Sequence, residues 1–216
     1  MKKEPFTVAD LFEKYGDHLS FKATVDTKGN KKKIETCEVY RPGLALAGYT
    51  KEKVEKRILL FGPIELEFLE GLDESLRLER LQNVITEETL LVIITRGKAP
   101  SLEIRALCEK LSISLFLSKI KTTALLTKLT VILAEVLSPM ISCHGTLVEA
   151  FGIGVFIKGD SSIGKSEAAL GLIERGHRLV SDDVVHIRKR DERHLVGKGP
   201  FLNRHLLEIR GIGIVN

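Results

Sequence analysis

A complete phosphate-loop motif constrains this chain more than any other feature. The pattern G-x-x-x-x-G-K-S is formed by Gly159, Asp160, Ser161, Ser162, Ile163, Gly164, Lys165 and Ser166. A β-type run precedes the motif and a helical pattern over 167–175 follows it, as the motif requires. The glycines let backbone N–H groups turn toward a phosphate, Lys165 adds positive charge, and Ser166 offers a hydroxyl ligand for Mg²⁺. The sequence therefore predicts that a nucleotide's phosphates bind here.

The bulk composition argues against several classes of protein. Hydrophobic residues make up 44% and charged residues 29% of the 216 positions, which is typical of packed globular proteins. The most apolar stretch, 124–142, is interrupted by charged residues and proline, and no apolar signal segment is present, so we expect no membrane partner. Cys37, Cys108 and Cys143 form no C-x-x-C pair, which favours a reducing cytoplasm over a disulfide scaffold or structural zinc.

Two short basic runs, 31–33 and 188–190, are the densest positive segments of a chain whose net charge is +4. Neither run has interleaved aromatic residues that could stack on bases. Turn-forming or acidic residues border both of them. We therefore interpret both runs as solvated loop tips and expect no nucleic-acid partner.

The N-terminal half alternates short apolar runs with helical patterns. This rhythm predicts an α/β domain with a mainly parallel sheet, which we assign to 1–134. The predicted strands are 57–61, 90–95 and 114–117, with 44–47 as a weaker candidate. Amphipathic helices are predicted over 73–85 and 101–111, and a further helix over 122–137. We find no catalytic cluster in this half and interpret the lone His18 as a surface residue.

After the proline at position 139, the pattern changes to closely spaced strands, so we place the domain boundary near 130–140 and assign 135–216 to a second domain. Runs 145–150 and 154–158, joined by a tight link at 151–153, predict a hairpin just before the phosphate loop. Many P-loop proteins instead have a parallel strand at this point.

Acidic residues and a histidine near the loop could complete a nucleotide site. Asp182 and Asp183 end a strand-like run, and Glu208 lies in another. A carboxylate at a strand end can hold Mg²⁺ or accept a proton, but an isolated aspartate pair caps a turn about as often. His144 lies at the start of the hairpin, where a structural imidazole is commoner than a catalytic one. The motif itself does not separate kinases from ATPases, GTPases or enzymes that merely grip a phosphate.

Four blocks of the sequence resemble the bacterial HPr kinase/phosphorylase family, in the same order. They are 144–148 (HGTLV), 159–167 (GDSSIGKSE), 174–183 (ERGHRLVSDD) and 207–216 (LEIRGIGIVN). The resemblance is close over about 140–216 and weaker before it, although 41–49 (RPGLALAGY) also resembles the family's first domain. It implies an α/β domain followed by a P-loop kinase domain of the phosphoenolpyruvate-carboxykinase-like fold.

The resemblance also implies an activity. Family members use ATP and Mg²⁺ to phosphorylate a serine of HPr, the small carrier of the bacterial sugar phosphotransferase system, and so control carbon metabolism; pyrophosphate is a possible second donor. They remove the same phosphoryl group with inorganic phosphate, which yields pyrophosphate. By resemblance, His144, Lys165 and Asp183 are catalytic, 159–166 binds ATP, and Ser166 with Glu208 binds Mg²⁺. A cytoplasmic homohexamer is also implied.

Two features depart from the family pattern. Ser162 replaces the usual glycine, which would cost about 1 kcal/mol if the position needs a positive φ. The chain stops at Asn216, inside the fourth block, so we expect an incomplete kinase domain. Two alternatives therefore stay open: a nucleotide-binding remnant without transfer activity, and another P-loop enzyme such as a small-molecule kinase.

Overall fold

The computed structural model describes residues 5–25, 30–49, 56–190 and 193–200, and the backbone alone of 28–29, 207–209 and 213–215. These residues form two compact units, Met1–Leu137 and Ser138–Asn216. The domain boundary expected after residue 134 stays a prediction. It falls within the last helix of the first unit, Thr122–Leu137.

The first unit is an α/β structure. Its described strands are β1 (Phe21–Val25), β2 (Val39–Tyr40), β3 (Ile58–Phe61), β4 (Leu91–Ile94) and β5 (Ser114–Ser118). Its described α-helices are α1 (Val8–Tyr15), α2 (Gly43–Leu46), α3 (Pro63–Glu70), α4 (Glu74–Val84), α5 (Leu102–Lys110) and α6 (Thr122–Leu137). A single 3₁₀ turn, Lys28–Lys31, follows β1.

These strands form one sheet in the order β1-β5-β4-β3-β2. Strands β2 to β5 are parallel and adjacent in chain order, and β1 pairs with β5 in the antiparallel direction. Parallel neighbours need a crossover, which the helices between the strands supply. The predicted α/β class with a mainly parallel sheet is confirmed.

Helices cover both faces of this sheet, which explains why β3 and β4 are buried at every residue. Successive side chains of a strand point to opposite faces. Accordingly, Leu59 and Phe61 belong to the core formed with α4 and α5. Ile58 and Leu60 belong to the core formed with α1 and α6. The continuous apolar runs of the sequence are therefore strands buried on two sides.

One predicted strand is wrong. Residues 44–47 lie in and just after the short helix α2, where the amide of Leu46 donates to the carbonyl oxygen of Pro42 at 2.8 Å. Alanine and leucine are strong helix formers, and the run contains no β-branched residue that would favour a strand. Burial of Ala45 and Leu46 against α4 and its neighbours stabilises the helical turn.

The solvated-tip interpretation of the first basic run is also wrong in part. The ammonium group of Lys32 donates to the carbonyl oxygens of Glu87 at 2.6 Å and Thr89 at 2.7 Å. Its partial burial lowers the pKa of Lys32. The sequence could not show this contact, because the acceptors lie more than fifty positions away.

In its described residues, the second unit is built mainly from antiparallel strands and one helix. Its described elements are β6 (Met140–His144), β7 (Thr146–Ala150), β8 (Ile153–Ile157), α7 (Lys165–Ile173), β9 (Arg178–Ser181), β10 (Val184–Lys189) and β11 (Leu195–Lys198). The backbone also forms β12 (Leu207–Ile209) and β13 (Gly213–Val215). The sheets have the orders β8-β7-β9, β11-β10-β6 and β12-β13.

The hairpin predicted before the phosphate loop is present as β7 and β8, paired in the antiparallel direction. Helix α7 packs on this sheet through a small core of Val148, Ala169 and Leu179. The second basic run is not a loop tip, because Arg188 and Lys189 belong to β10, which is paired on both sides. Among the described residues, no helix is long and apolar enough to span a membrane.

A capping box begins α1. The amide of Asp10 donates to Thr7 Oγ1 at 3.2 Å, and the amide of Thr7 donates to Asp10 Oδ2 at 2.9 Å. The ammonium of Lys14 donates to Asp10 Oδ1 at 2.7 Å. These donors, Lys14 first and then Thr7, lower the pKa of Asp10 from 3.8 to about 2.

Replacing the Asp10 carboxylate should reveal its contribution to the free energy of unfolding, because that contribution depends on pH. Because the folded-state pKa of Asp10 is depressed, its stabilisation is present above pH 3.8 and is lost as the pH falls toward about 2. Asp10→Asn should lower the free energy of unfolding by roughly 1 kcal/mol at pH 7, and the difference from wild type should shrink below pH 4. Urea unfolding followed by circular dichroism measures both values.

Asp17→Asn is the matched control, since Asp17 is an exposed carboxylate with no side-chain hydrogen bond to a described residue. That variant should have the free energy of unfolding of wild type at pH 7 and at pH 2. An Asp10→Asn difference that is equally large at pH 7 and pH 2 would contradict the assignment.

Candidate functional site

The phosphate loop connects β8 to α7. It leaves the sheet after Ile157 and enters the helix at Lys165. Gly164, the residue before the helix, has a φ of 97°, in the left-handed region that glycine adopts without steric cost. The first N–H groups of α7 therefore lie beside the loop, where the helix dipole favours an anion.

Lys165 is folded over the loop that it follows. Its ammonium group donates to the carbonyl oxygens of Gly159 at 3.0 Å and Asp160 at 2.6 Å. These acceptors hold the positive charge at the loop. Phosphate oxygens are stronger acceptors for an ammonium than peptide carbonyls are. The side chain is therefore placed to release the two carbonyl oxygens and donate to phosphate oxygens instead.

A buried carboxylate connects the loop to the adjacent sheet. Asp182 follows directly after β9 and is 8% exposed. Its Oδ1 accepts a hydrogen bond from Thr146 Oγ1 at 2.6 Å, and its Oδ2 accepts one from Ser166 Oγ at 3.4 Å. Ser166 is the hydroxyl residue of the phosphate motif. The arrangement thus joins the start of β7, the end of β9 and the start of α7.

The roles assigned by resemblance did not include Asp182. Asp182 and Asp183 are adjacent in the sequence, and either could have followed the strand into the site. The structure places Asp182 beside Ser166 and leaves Asp183 exposed. Thr146 was also missed. Its position inside the block 144–148 was a weak signal, because threonine is an ordinary strand residue.

His144 and Asp183 are neighbours through their backbones. His144 ends β6 opposite Val184 of β10, and the next amide, that of Gly145, donates to the carbonyl oxygen of Asp183 at 3.1 Å. Both side chains are exposed. Asp183 has a φ of 66°, which is uncommon for a residue other than glycine and often marks a functional turn. The fold therefore brings these two predicted residues together at the edge of the site.

Glu208 lies in β12, whose backbone pairs with β13 and passes near α7. Its side chain lies outside the described residues. Whether the carboxylate reaches Ser166, as the predicted metal pair requires, stays a prediction.

The residues near Ser166 suit a magnesium ion that is shared with a ligand. The described residues contain no group of three or more histidine, cysteine, aspartate or glutamate side chains that could enclose a metal. Ser166 and Asp182 nevertheless offer a hydroxyl and a carboxylate oxygen side by side. Mg²⁺ is commonly held by one or two protein oxygens together with substrate phosphates, and this pair fits that pattern.

Family models match nearly the whole chain. The model described as the HPr serine kinase N terminus matches residues 6–133, and the HPr serine kinase C-terminal domain matches residues 135–216. The chain belongs to the HPr serine kinase family. The resemblance that the four sequence blocks suggested is thereby confirmed.

Two solved structures are similar to parts of this family member. The Hpr(Ser) kinase/phosphatase from Coxiella burnetii is 40% identical over 35% of this chain and 49% of that chain, with a TM-score of 0.33. The CBS and DRTGG domains of a Clostridium perfringens pyrophosphatase, complexed with its activator diadenosine tetraphosphate, are 20% identical over 57% of this chain and 46% of that chain, with a TM-score of 0.40. Each match spans about half of the other protein's chain.

Ser162 is the phosphate-loop residue for which the sequence predicts a steric cost if its φ is positive. Its φ is 69°, so the condition stated for a steric cost is met. Residues other than glycine are destabilised in this region of φ, because their Cβ approaches the following carbonyl oxygen. Ser161 has no positive φ, although it is the neighbouring serine in the same loop.

This pair of serines allows a matched test of loop strain. Ser162→Gly should raise the free energy of unfolding of the second unit by roughly 0.5 kcal/mol, because relief of the φ penalty outweighs the added freedom of the unfolded chain. Ser161→Gly should lower it by a similar amount, since it adds only that freedom. Thermal unfolding of both variants measures the signs. Two changes of the same sign would show that the φ of Ser162 carries no penalty.

Proposed function

We propose that this chain is an ATP-dependent serine kinase of HPr that also removes the phosphoryl group by phosphorolysis. Membership of the HPr serine kinase family supports the kinase class and the protein substrate. The observation that carries the proposal is the hydrogen bond from Ser166 Oγ to Asp182 Oδ2, which joins the phosphate loop to a buried carboxylate. That pairing of a motif serine with a strand-end aspartate is the arrangement by which P-loop enzymes handle a nucleotide and its metal.

Nucleotide binding would use the loop 159–166. Its backbone N–H groups and the start of α7 would receive the phosphate oxygens. Lys165 would leave the carbonyl oxygens of Gly159 and Asp160 and pair with the outer phosphates. Because the charged side chain is already held over the loop, its movement would be short, and less side-chain freedom would be lost on binding.

Ser166, Asp182 and Glu208 would hold Mg²⁺ against the phosphates. When bound, the ion supplies positive charge that offsets the charge spread over the transferring group. Ser166 would present its hydroxyl oxygen, and Asp182 would present the oxygen that now accepts from it. Glu208 is included by family resemblance.

Proton transfer would use Asp183. Its carboxylate is exposed at the edge of the site, where a serine hydroxyl of a protein substrate can approach it. Asp183 would accept the hydroxyl proton as the serine oxygen bonds to the γ-phosphorus and the bond to ADP breaks. His144, adjacent through the β6–β10 pairing, would help to orient the substrate.

The reverse reaction would use the same groups. An oxygen of inorganic phosphate would attack the phosphorus of seryl-phosphate, the bond to the serine oxygen would break, and Asp183 would return its proton to that oxygen. The products are then HPr with a free serine hydroxyl and pyrophosphate. No separate site for activating water is needed, so the Asp183 carboxylate can serve in both directions.

A transfer assay tests the kinase. We expect the chain to transfer label from γ-labelled ATP with Mg²⁺ to a serine of purified HPr. Lys165→Ala should reduce the rate by roughly 100-fold or more, because charge on the transferring group is no longer offset. Label on a small metabolite with none on HPr would favour another P-loop kinase. Nucleotide binding without any transfer would favour a remnant.

A second assay tests the proton-transfer role. Asp183→Asn should lower both kinase and phosphorolysis rates by roughly 100-fold or more, since general acid–base catalysis contributes at least that much. Its affinity for ATP should stay at the wild-type value, because among the described residues it is Asp182, and not Asp183, that hydrogen-bonds to the phosphate loop. Either activity near its normal rate would rule out Asp183 as the shared acid and base.

A further inference from the structure

We infer that Thr146 is a positioning residue, which holds the Asp182 carboxylate so that one defined oxygen faces Ser166 and the magnesium side of the nucleotide site. Nothing in the phosphate motif or in the roles implied by family resemblance includes Thr146. The inference rests on the proposed nucleotide binding. It concerns how the buried carboxylate is aimed, which the motif does not determine.

The hydroxyl that holds the carboxylate is itself rigidly placed. Thr146 is the first residue of β7 and is 1% exposed. Strand β7 is the central strand of its sheet, with β8 on one side and β9 on the other. A β-branched side chain on such a strand has few χ1 rotamers available. Its hydrogen bond to Asp182 Oδ1, at 2.6 Å, therefore starts from a fixed donor.

The backbone of the aspartate turn is fixed as well. The amide of Val184 donates to the carbonyl oxygen of Asp182 at 2.8 Å, and the amide of Gly145 donates to that of Asp183 at 3.1 Å. With the backbone held at both residues, the remaining freedom of Asp182 lies in its side-chain torsions. The terminal χ2 of aspartate is broad, so a hydrogen bond is needed to select one orientation.

The two hydrogen bonds of the carboxylate differ in strength. Thr146 Oγ1 lies 2.6 Å from Oδ1, whereas Ser166 Oγ lies 3.4 Å from Oδ2, near the upper limit for a hydrogen bond. The Thr146 bond therefore holds the carboxylate in place, and the weaker Ser166 bond is the one that a cation can replace. Without the threonine hydroxyl, a buried carboxylate oxygen would lack its donor, and rotation would turn Oδ2 away from Ser166.

The test measures how strongly magnesium and nucleotide assist each other's binding. The affinity of the full chain for ATP with a fluorescent ribose label is titrated in Mg²⁺ and in EDTA, and the ratio of the two affinities gives the coupling. Removal of a residue that orients a metal ligand commonly costs about tenfold or more in metal affinity. We expect Thr146→Val to lower this ratio about tenfold with unchanged affinity in EDTA. Thr146→Ser, which keeps the hydroxyl, should keep the wild-type ratio.

A purely structural role predicts a different pattern. It would lower the affinity in Mg²⁺ and in EDTA by the same factor, so an unchanged ratio in Thr146→Val would overturn the inference. A folded Thr146→Ser variant whose ratio of affinities in Mg²⁺ and in EDTA is about tenfold below wild type would also overturn it, whether or not the valine variant folds. If the wild-type chain does not bind the nucleotide, the result counts against the proposed function itself. If it binds and Lys165→Ala abolishes the binding, the proposed nucleotide site stands, whatever the Thr146 variants show.

Discussion

A carboxylate that is removed from water must receive hydrogen bonds, and the candidate site is arranged around that requirement. Asp182 is 8% exposed and meets it with the hydroxyl groups of Thr146 and Ser166. The two donors come from different elements, the first strand of the hairpin and the helix that follows the phosphate loop. The buried side chain of Asp182 thus connects the loop to the sheet that supports it.

The two units use burial in different ways. In the first, helices on both faces of a mainly parallel sheet create two apolar cores, and every residue of β3 and β4 is buried. In the second, the described core between α7 and its sheet is small, and polar contacts such as the Asp182 pair connect the elements that carry the phosphate loop. The candidate site belongs to the second unit, where loops and strand ends hold the polar residues.

Sequence patterns located most of the fold because the patterns were strong. The runs 57–61, 90–95 and 114–117 contain the strands β3, β4 and the start of β5, since a strand buried on two faces is continuously apolar. The strand prediction for 44–47 was wrong because four apolar residues without a β-branched side chain suit a helical turn equally well. The interpretation of Lys32 as part of a solvated loop tip was wrong for another reason. Its carbonyl partners lie in a turn that is distant in the sequence.

The sequence by itself determined the phosphate loop, the family and the α/β class, because these depend on residue types at fixed spacing and on local periodicity. It also indicated that Ser162 would be strained if its φ were positive, and the backbone has that φ. Only the tertiary structure decided that Asp182 rather than Asp183 reaches Ser166, and that Thr146 donates a hydrogen bond to Asp182. Adjacent residues at a strand end point in different directions, and the donor lies 36 positions away, so strand pairing alone brings them together.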